Sequence, residues 1–346
     1  MILVTGGAGY IGSTVSLALI EAGHSVVVFD DISRGHRDLA FGSALVEGDI
    51  RDRNALDALF RTHRIDGVVH FAARSLVGES MERPDEYFSV NVRGTMTLLE
   101  VMKEHAVANL VFSSSAAVYG EPDVAVIPEE AAIRPTNPYG ESKAFVETML
   151  RRFHDAFGLR SVSLRYFNAA GADSLVRTGE HHDPETHLIP ILLDVALGRR
   201  DGATIFGTDY PTPDGTCVRD YVHVTDLAAA HVRALERVLK GKQGCEAYNL
   251  GNGTGYSVRQ VVDMVRAVTG CPIPVTEAGR RSGDPAVLVA SSKKAERTLK
   301  WKRSYPGLEE IVRTAWMWHQ RRFSPKRDVF SDKHLRATTL RLDEVE

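Results

Sequence analysis

The chain has 346 residues, of which 43% are hydrophobic and 25% are charged, so it can bury a large core and is not expected to be disordered. A net charge of −3 at pH 7 gives no overall basic field, and we therefore predict no nucleic-acid partner. Three scattered cysteines are too few for a disulfide framework, and no apolar run reaches the roughly 18 residues of a membrane span. Because "MILVTGG" enters a strand without the features of a signal peptide, we predict a cytoplasmic protein with no membrane partner.

The amino-terminal half alternates between strand-like and helix-like hydrophobic periods. Strands that are separated by helices predict an α/β fold with a doubly wound parallel Rossmann sheet. Ligands of such sheets lie at the carboxyl ends of the strands. The predicted strands are residues 2–5, 25–30, 44–49, 67–73, 109–115 and 161–167.

The second half, after about residue 168, is richer in turn-forming residues and poorer in helices, which predicts a smaller α+β lobe over the strand ends. We divide the chain into a Rossmann domain at 1–168, this lobe at 169–322 and a charged, loosely attached tail at 323–346. Some of the lobe is expected to cross back to the first domain. Predicted helices include residues 84–104, 138–157, 186–198, 225–239, 257–269 and 308–321.

A glycine pattern, GxxGxxG in "TGGAGYIG" at residues 5–12, lies between the first strand and its helix. Glycines there allow a tight turn and let a pyrophosphate approach the backbone amides of the helix start. The second strand ends in Asp30, whose carboxylate can accept hydrogen bonds from a ribose diol and would repel a 2′-phosphate. We therefore predict NAD rather than NADP as the cofactor, and we interpret the nearby Arg34 and Arg37 as solvated loop charges.

A tyrosine and a lysine lie four residues apart in "NPYGESK", in the first turns of a helix that Pro138 opens. A phenol with its ordinary pKa near 10 is a poor base, but a nearby ammonium and an oxidised nicotinamide both favour its anion. Tyr139 could then remove a hydroxyl proton, with Lys143 holding the nicotinamide ribose and Ser115, at the end of the fifth strand, holding the substrate hydroxyl. Such pairs are common on exposed helices, but the order of these motifs favours a catalytic site.

The sequence resembles the extended short-chain dehydrogenase/reductases, and within them the nucleotide-sugar epimerases, over roughly residues 1–320. The resemblance implies an NAD-dependent isomerase that interconverts UDP-galactose and UDP-glucose at C4′ through a transient 4-keto sugar. The first domain would bind NAD and the second lobe the UDP-sugar. The matching stretches include "VTGGAGYIGS", "HFAARSLVGES", "FSSSAAVYG", "NPYGESK", "LRYFNAAGA", "HLIPILLDVALGRRD", "VRDYVHVTDLA", "YNLGNG" and "RRSGDPA".

The resemblance also implies residue roles, in three groups. The catalytic group is Ser115, Tyr139 and Lys143. The cofactor group is Gly6, Gly9, Tyr10, Ile11, Gly12, Asp30, Asp49, Ile50, Phe71, Ala72, Ala73, Asn91, Ser113, Tyr139, Lys143 and Tyr166. The substrate group is Ser115, Tyr139, Asn168, His187, Leu188, Phe206, Arg219, Arg281 and Asp284.

Alternative functions differ in substrate or class. A 4,6-dehydratase needs an acid pair beside Ser115, where this chain has Ala116 and Ala117, and a nonenzymatic NAD-binding regulator would not need the tyrosine and lysine. A 4-epimerase of UDP-N-acetylhexosamines or UDP-pentoses stays open, because Leu288 aligns with a family position that lines the hexose pocket and is intermediate in size. The physiological direction and pathway stay open as well.

Three further expectations complete the interpretation. Some family members carry a lysine near the cofactor pyrophosphate where this chain has Ser75, beside Arg74, and which residue replaces it is open. The stretch "HHDPETH" at 181–187 has irregular spacing and a proline, so we expect a loop that covers the substrate and no metal site. Helices 84–104 and 138–157 carry surplus apolar residues, and in similar proteins their equivalents form a four-helix bundle, so we predict a homodimer.

Overall fold

A computed structural model describes residues 1–242, 244–281 and 284–323. The predicted tail at 323–346 lies outside these residues, except for Phe323, which ends the last helix.

A seven-stranded parallel sheet forms the centre of the first domain. Numbered along the chain, it consists of β1 (Ile2–Thr5), β2 (Val26–Asp30), β3 (Ala44–Glu47), β4 (Gly67–His70), β5 (Asn109–Ser115), β6 (Arg160–Tyr166) and β10 (Cys245–Leu250). The strands lie in the order β3-β2-β1-β4-β5-β6-β10. This arrangement confirms the predicted doubly wound α/β fold. The six predicted strands are all present, and a seventh, β10, returns from the second half and pairs with β6.

Helices cover both faces of this sheet and part of the second lobe. The predicted helix at 84–104 is interrupted, because residues Phe88–Arg93 form a π-helical segment between two α-helices. The helices are α1 (Tyr10–Glu21), α2 (Arg53–Thr62), α3 (Val77–Glu82), α4 (Pro84–Tyr87), α5 (Gly94–Glu104), α6 (Pro138–Phe157), α7 (Leu188–Ala196), α8 (Val224–Leu239), α9 (Val258–Thr269), α10 (Lys293–Thr298) and α11 (Leu308–Phe323).

Two apolar layers hold the helices to the sheet. On one face, Val15 of α1 and Leu235 of α8 pack in one cluster with Val4 and Val28 of the strands. On the other face, residues of α2, α5 and α6 pack against Leu3, Val27 and Leu110 among others. Because α8 and β10 come from the second half of the sequence, the chain crosses back into the Rossmann domain after residue 223.

The second lobe is built around a small mixed sheet with β9 (Val218–His223) at its centre. Helices α7, α9 and α11 share an apolar cluster with Tyr221 of this strand. The capping box predicted at the start of α9 is present, since Ser257 and Gln260 exchange side-chain and backbone hydrogen bonds. The other strands of the lobe are β7 (Asn168–Ala170), β8 (Ala203–Phe206), β11 (Gly255–Ser257), β12 (Val275–Ala278) and β13 (Val287–Leu288).

Across the described part of the chain, no helix combines enough length and apolarity to cross a membrane.

Candidate active site

A deep cleft lies over the carboxyl ends of the central strands, between the large sheet and the second lobe. It brings together most of the residues that were selected from the sequence, although they are spread over the first 188 positions. The predicted residues that line it are Gly6, Gly9, Tyr10, Ile11, Gly12, Asp30, Ile50, Phe71, Ala72, Ala73, Ser113, Ser115, Tyr139, Lys143, Tyr166, Asn168, His187 and Leu188.

The glycine turn forms the start of α1 and one wall of the cleft. Gly6 has φ +71°, and a Cβ there would lie 2.5 Å from the backbone nitrogen of Ala72. Only glycine therefore fits without displacing the backbone that follows β4. Gly9 is the N-cap of α1 and offers no side-chain oxygen to its first amides. Those amides therefore face the cleft without an intrahelical partner, which is the arrangement that binds a pyrophosphate.

Asp30 lies at the end of β2 with its carboxylate held in place by two backbone amides. Ala8 donates a 3.0 Å hydrogen bond and Ile32 a 2.9 Å hydrogen bond to its two oxygens. Burial raises the pKa of Asp30, and the two amides oppose this shift. The carboxylate is thus fixed at the cleft wall, where it fits a ribose diol of NAD.

The two arginines that could have favoured a 2′-phosphate have carboxylate partners. Arg34 donates to Glu79 at 3.1 Å, and Arg37 forms an exposed ion pair with Glu47 at 2.5 Å. Their charges are therefore already compensated, which agrees with their interpretation as loop charges.

The pair Tyr139 and Lys143 lies in the first turns of α6, whose N-cap Asn137 accepts a 2.9 Å hydrogen bond from the Gly140 amide. The Lys143 ammonium donates a 2.8 Å hydrogen bond to the carbonyl of Ser113 on β5. Its Nζ atom lies 5.8 Å from the centre of the Tyr139 ring. The hydrogen bond fixes the helix against the strand end, so both side chains meet the cleft beside Ser115.

Burial changes the protonation of this pair in a direction that the sequence argument did not anticipate. Burial raises the pKa of Tyr139, although the nearby Ser115 hydroxyl lowers it in part. Burial also lowers the pKa of Lys143 to about 7. The proximity of an ammonium alone is therefore not enough to create a phenolate, because desolvation disfavours both charged forms.

The remaining wall near Ser115 is aromatic. The Tyr166 and Ser113 hydroxyls form a buried hydrogen bond, and Tyr166 lies opposite Ser115 in the register of β5 and β6. Sequence reasoning missed His231 of α8, whose ring centre lies 4.9 Å from that of Phe71. Its Nδ1 atom faces the Leu227 carbonyl at 2.8 Å, and burial lowers the pKa of His231 to about 4, so this neutral ring supports the wall by packing. One histidine in the apolar run "LAAAHV" was its only signal.

Two predicted cofactor residues, Asn91 and Asp49, are not among the residues that line the cleft. The Asn91 side chain is buried and accepts from the Arg74 amide at 2.8 Å, donates to the Arg74 carbonyl at 3.0 Å and donates to Ser142 at 2.9 Å. Asp49 pairs with Arg51 at 2.5 Å.

Arg74 and Ser75 both line the cleft, and Arg74 pairs with Glu86 at 2.8 Å. The cofactor roles of Asn91 and Asp49 stay predictions, and which of Arg74 and Ser75 replaces the family lysine stays open.

Four predicted substrate residues form two contacts in the second lobe, apart from the residues that line the cleft. Arg219 donates a 2.8 Å hydrogen bond to Asp284, and the guanidinium of Arg281 lies 4.0 Å from the centre of the Phe206 ring. Leu288 of β13 pairs directly with Arg219 of β9, and it packs with the cluster of Val118, Tyr119 and Ile127. Its assignment to the hexose pocket stays a prediction.

Comparison with known proteins identifies the relatives of this chain. Residues 2–251 match the NAD dependent epimerase/dehydratase family. The UDP-glucose 4-epimerase of Halalkalibacterium halodurans is 55% identical over 92% of this chain and 95% of its own length. A Brucella ovis UDP-glucose 4-epimerase in complex with NAD has TM-score 0.88 and 46% identity over 91% of this chain and 97% of its own. The Bifidobacterium longum enzyme, in complex with NAD+ and UDP, has TM-score 0.89 and 38% identity over 93% and 98%.

Proposed function

The chain belongs to the NAD dependent epimerase/dehydratase family, and we propose that it inverts C4′ of UDP-galactose and UDP-glucose at the cleft described above. The observation that carries this proposal is the meeting of four features in one cleft. These features are the glycine turn, the carboxylate of Asp30, the Tyr139 and Lys143 pair, and Ser115. A dinucleotide site on its own would need neither the phenol nor the serine.

The chain's own groups divide the proton chemistry. Tyr139 removes the proton of the 4′-hydroxyl and returns it after the sugar has turned, while the Ser115 hydroxyl holds the sugar oxygen. Lys143, held by the Ser113 carbonyl at 2.8 Å, keeps the first turns of α6 in register with the end of β5. When bound, NAD would supply reversible hydride transfer at C4′ of the sugar, and its positive charge would favour the phenolate that burial of Tyr139 otherwise disfavours.

The substrate must be held by a part that does not react, because the 4-keto sugar has to turn while it stays bound. Arg219 and Arg281 are planar donors suited to a pyrophosphate, and Asp284 can accept from a ribose diol. The Arg219 to Asp284 contact at 2.8 Å holds two of these groups together before substrate arrives. Phe206, under the Arg281 guanidinium, offers a flat apolar surface to a base. Asn168, His187 and Leu188 line the cleft itself.

A homodimer is the assembly that we infer for this enzyme. On α6, Phe145 and Phe157 are 55% and 56% exposed, which is unfavourable for large apolar side chains on an isolated helix. The Phe145 ring also meets Phe88 edge-on, at 6.2 Å between centres, so the exposed surface extends to the segment between α4 and α5. These helices from two copies would form a four-helix bundle. Light scattering should give the dimer mass, and a monomer at micromolar concentration would contradict it.

We assign the protein to the cytoplasm. The cysteines Cys217, Cys245 and Cys271 are all free thiols, which suits a reducing compartment.

The proposed activity is tested with purified protein and UDP-galactose in the absence of added NAD. Because each turnover returns its hydride, retained cofactor should support formation of UDP-glucose, measured by chromatography. Failure to convert UDP-galactose even with added NAD would overturn the proposal.

A further inference from the structure

A compact group of four potential metal ligands lies at the rim of the cleft. It consists of Glu180, His182, Glu185 and His187, and one ligand atom of each lies within 4.8 Å of those of the others. The Nδ1 atom of His182 lies 3.2 Å from Glu180 and 3.6 Å from the Oε2 atom of Glu185. The Nδ1 atom of His187 contacts Glu180 and lies 3.9 Å from Glu185. Both imidazoles therefore direct the same type of nitrogen toward the same two carboxylates.

The chain holds these side chains from fixed points. The Glu180 carbonyl accepts a 2.7 Å hydrogen bond from the indole of Trp318 in α11, and Glu180 itself is buried. His187 is the residue before α7. The Oε1 atom of Glu185 accepts from the amides of Thr186 and His187 at 2.7 and 2.9 Å, which leaves its Oε2 atom directed at His182. The Glu185 carboxylate and the backbone of Glu180 are thus held in place before any ion binds.

One polar atom of the cluster lacks a hydrogen bond. The Nδ1 atom of His182 is buried and, within the described residues, has no partner of hydrogen-bonding geometry. Such a nitrogen is satisfied either by a proton, which makes it an ion pair with the two carboxylates, or by a cation. A cation between the three groups would satisfy it.

The distances of the His182 nitrogen from the two carboxylates, together with the ligand types, favour one class of cation. In a tetrahedral zinc site with bonds of about 2.0 to 2.1 Å, neighbouring ligand atoms are about 3.3 to 3.4 Å apart. The His182 distances to Glu180 and Glu185, 3.2 and 3.6 Å, lie on either side of this value. His187 lies closer than this to Glu180 and farther, at 3.9 Å, from Glu185, so binding of the ion would have to shift the His187 ring. Two imidazoles with two carboxylates suit zinc better than calcium or magnesium, which prefer oxygen ligands.

We propose that Glu180, His182, Glu185 and His187 bind one Zn²⁺ ion in a structural site. All four positions are filled by protein, so the ion would have no open position for catalysis. It would join the segment anchored by Trp318 to the start of α7 and hold His187 and Leu188 at the cleft wall. This proposal departs from the expectation of no metal, which considered only the spacing within 181–187 and did not include Glu180.

The competing arrangement is an ion-pair network of two protonated histidines and two carboxylates. Its net charge is zero, and so is that of Zn²⁺ with two neutral histidines and two carboxylates. Charge balance therefore does not distinguish the zinc site from the ion-pair network, whereas the measured metal content does. A network without metal would overturn the proposal.

The experiment measures zinc in the purified chain after removal of any affinity tag. Metal is first removed with a chelator, and Zn²⁺ is then titrated into the protein by isothermal titration calorimetry. The amount of bound zinc is checked by inductively coupled plasma mass spectrometry. The test variants are His182→Ala and Glu185→Gln. The matched control is His181→Ala, because the neighbouring His181 ring stacks on His36 at 3.9 Å and is not a member of the cluster.

Wild type and His181→Ala should each bind one zinc ion per chain and melt at a higher temperature with zinc than without it. Loss of an outer-shell partner weakens metal binding by about 10- to 100-fold, and loss of a direct ligand should weaken it by more than that in both test variants. The melting temperatures of these variants should not change when zinc is added. Absence of one-to-one binding in wild type, or equal binding by wild type and both test variants, would overturn the proposal. Because zinc content and melting are measured without substrate, this result does not depend on the proposed epimerase activity.

Discussion

Arg165 and Glu147 form a buried ion pair with two hydrogen bonds, of 2.8 and 2.5 Å, between β6 and α6. Glu147 lies one helical turn beyond Lys143, and it also accepts a 2.7 Å hydrogen bond from Ser114 of β5. Arg165 in turn donates to the Tyr119 hydroxyl at 2.8 Å. The helix that carries the proposed catalytic pair is therefore fixed to two adjacent strands by one charged group.

Removing Glu147 should be strongly destabilising. The change Glu147→Ala leaves the Arg165 guanidinium buried without its counter-charge, and breaking such a pair costs about 3–5 kcal/mol. The free energy of unfolding from denaturant titration measures the effect. Arg152→Ala is the control on the same helix, since its pair with Asp155 is exposed and 3.6 Å long and should contribute within about 1 kcal/mol. Equal losses in the two variants would contradict the importance of the buried pair.

Replacing Tyr139 by Phe should lower turnover by roughly 10²- to 10⁴-fold, because the positioned proton acceptor is lost while the ring is kept. Initial rates of UDP-galactose conversion measure this, with circular dichroism as the check on folding. The control is Tyr256→Phe in β11, which removes a phenol of the second lobe that does not line the cleft. Near-normal turnover of a folded Tyr139→Phe protein would rule out the proposed role.

Stability of the cofactor-free protein should depend on Lys143 between about pH 7 and 10. Burial lowers the pKa of Lys143 from 10.5 to about 7 in the folded state, so in this window the unfolded state binds one more proton. Its contribution to the free energy of unfolding should therefore rise with pH, by up to about 1.4 kcal/mol per pH unit, and be constant below pH 7.

The difference between wild type and Lys143→Met isolates this contribution. Burial lowers the pKa of His182, but the Glu180 and Glu185 carboxylates raise it to about 10. Groups such as this one titrate in both proteins, so their contributions cancel in the difference. Unfolding is measured by denaturant at several pH values after removal of the cofactor. The same pH slope in both proteins would contradict a buried, largely neutral Lys143.

Asp30 should decide the preference for NAD. Wild-type protein is expected to purify with NAD, and Asp30→Ser should lose bound NAD and gain affinity for NADP relative to NAD, because the carboxylate no longer repels a 2′-phosphate. Cofactor released by denaturation is identified by mass spectrometry. Asp31→Asn is the control, since among the described residues the Asp31 side chain bonds only the amide and hydroxyl of Ser33, at 2.9 and 2.6 Å. Wild type that purifies with NADP would refute the assignment.

Local signals were enough to predict several parts of this protein. The bounds of α6 follow from the Asn137 cap, Pro138 at the first helical position and Gly158, which adopts φ +71° after the last turn. The parallel sheet follows from alternating periods, and the glycine turn from a motif whose spacing has a steric cause at Gly6. These features depend on residues that are close in sequence, so the pattern contains the physics that forms them.

Other parts depend on segments that are distant in sequence. The strand β10 pairs with β6 more than 80 positions earlier, and no local pattern distinguishes it from a strand of the second lobe. Glu180 lies against His182 and His187, and Trp318 holds its backbone, which the stretch "HHDPETH" does not show. The pKa directions of Tyr139 and Lys143 likewise follow from burial by the assembled lobes. Desolvation and long-range pairing exist only once the chain has folded, so they are properties of the fold and cannot be assigned from spacing.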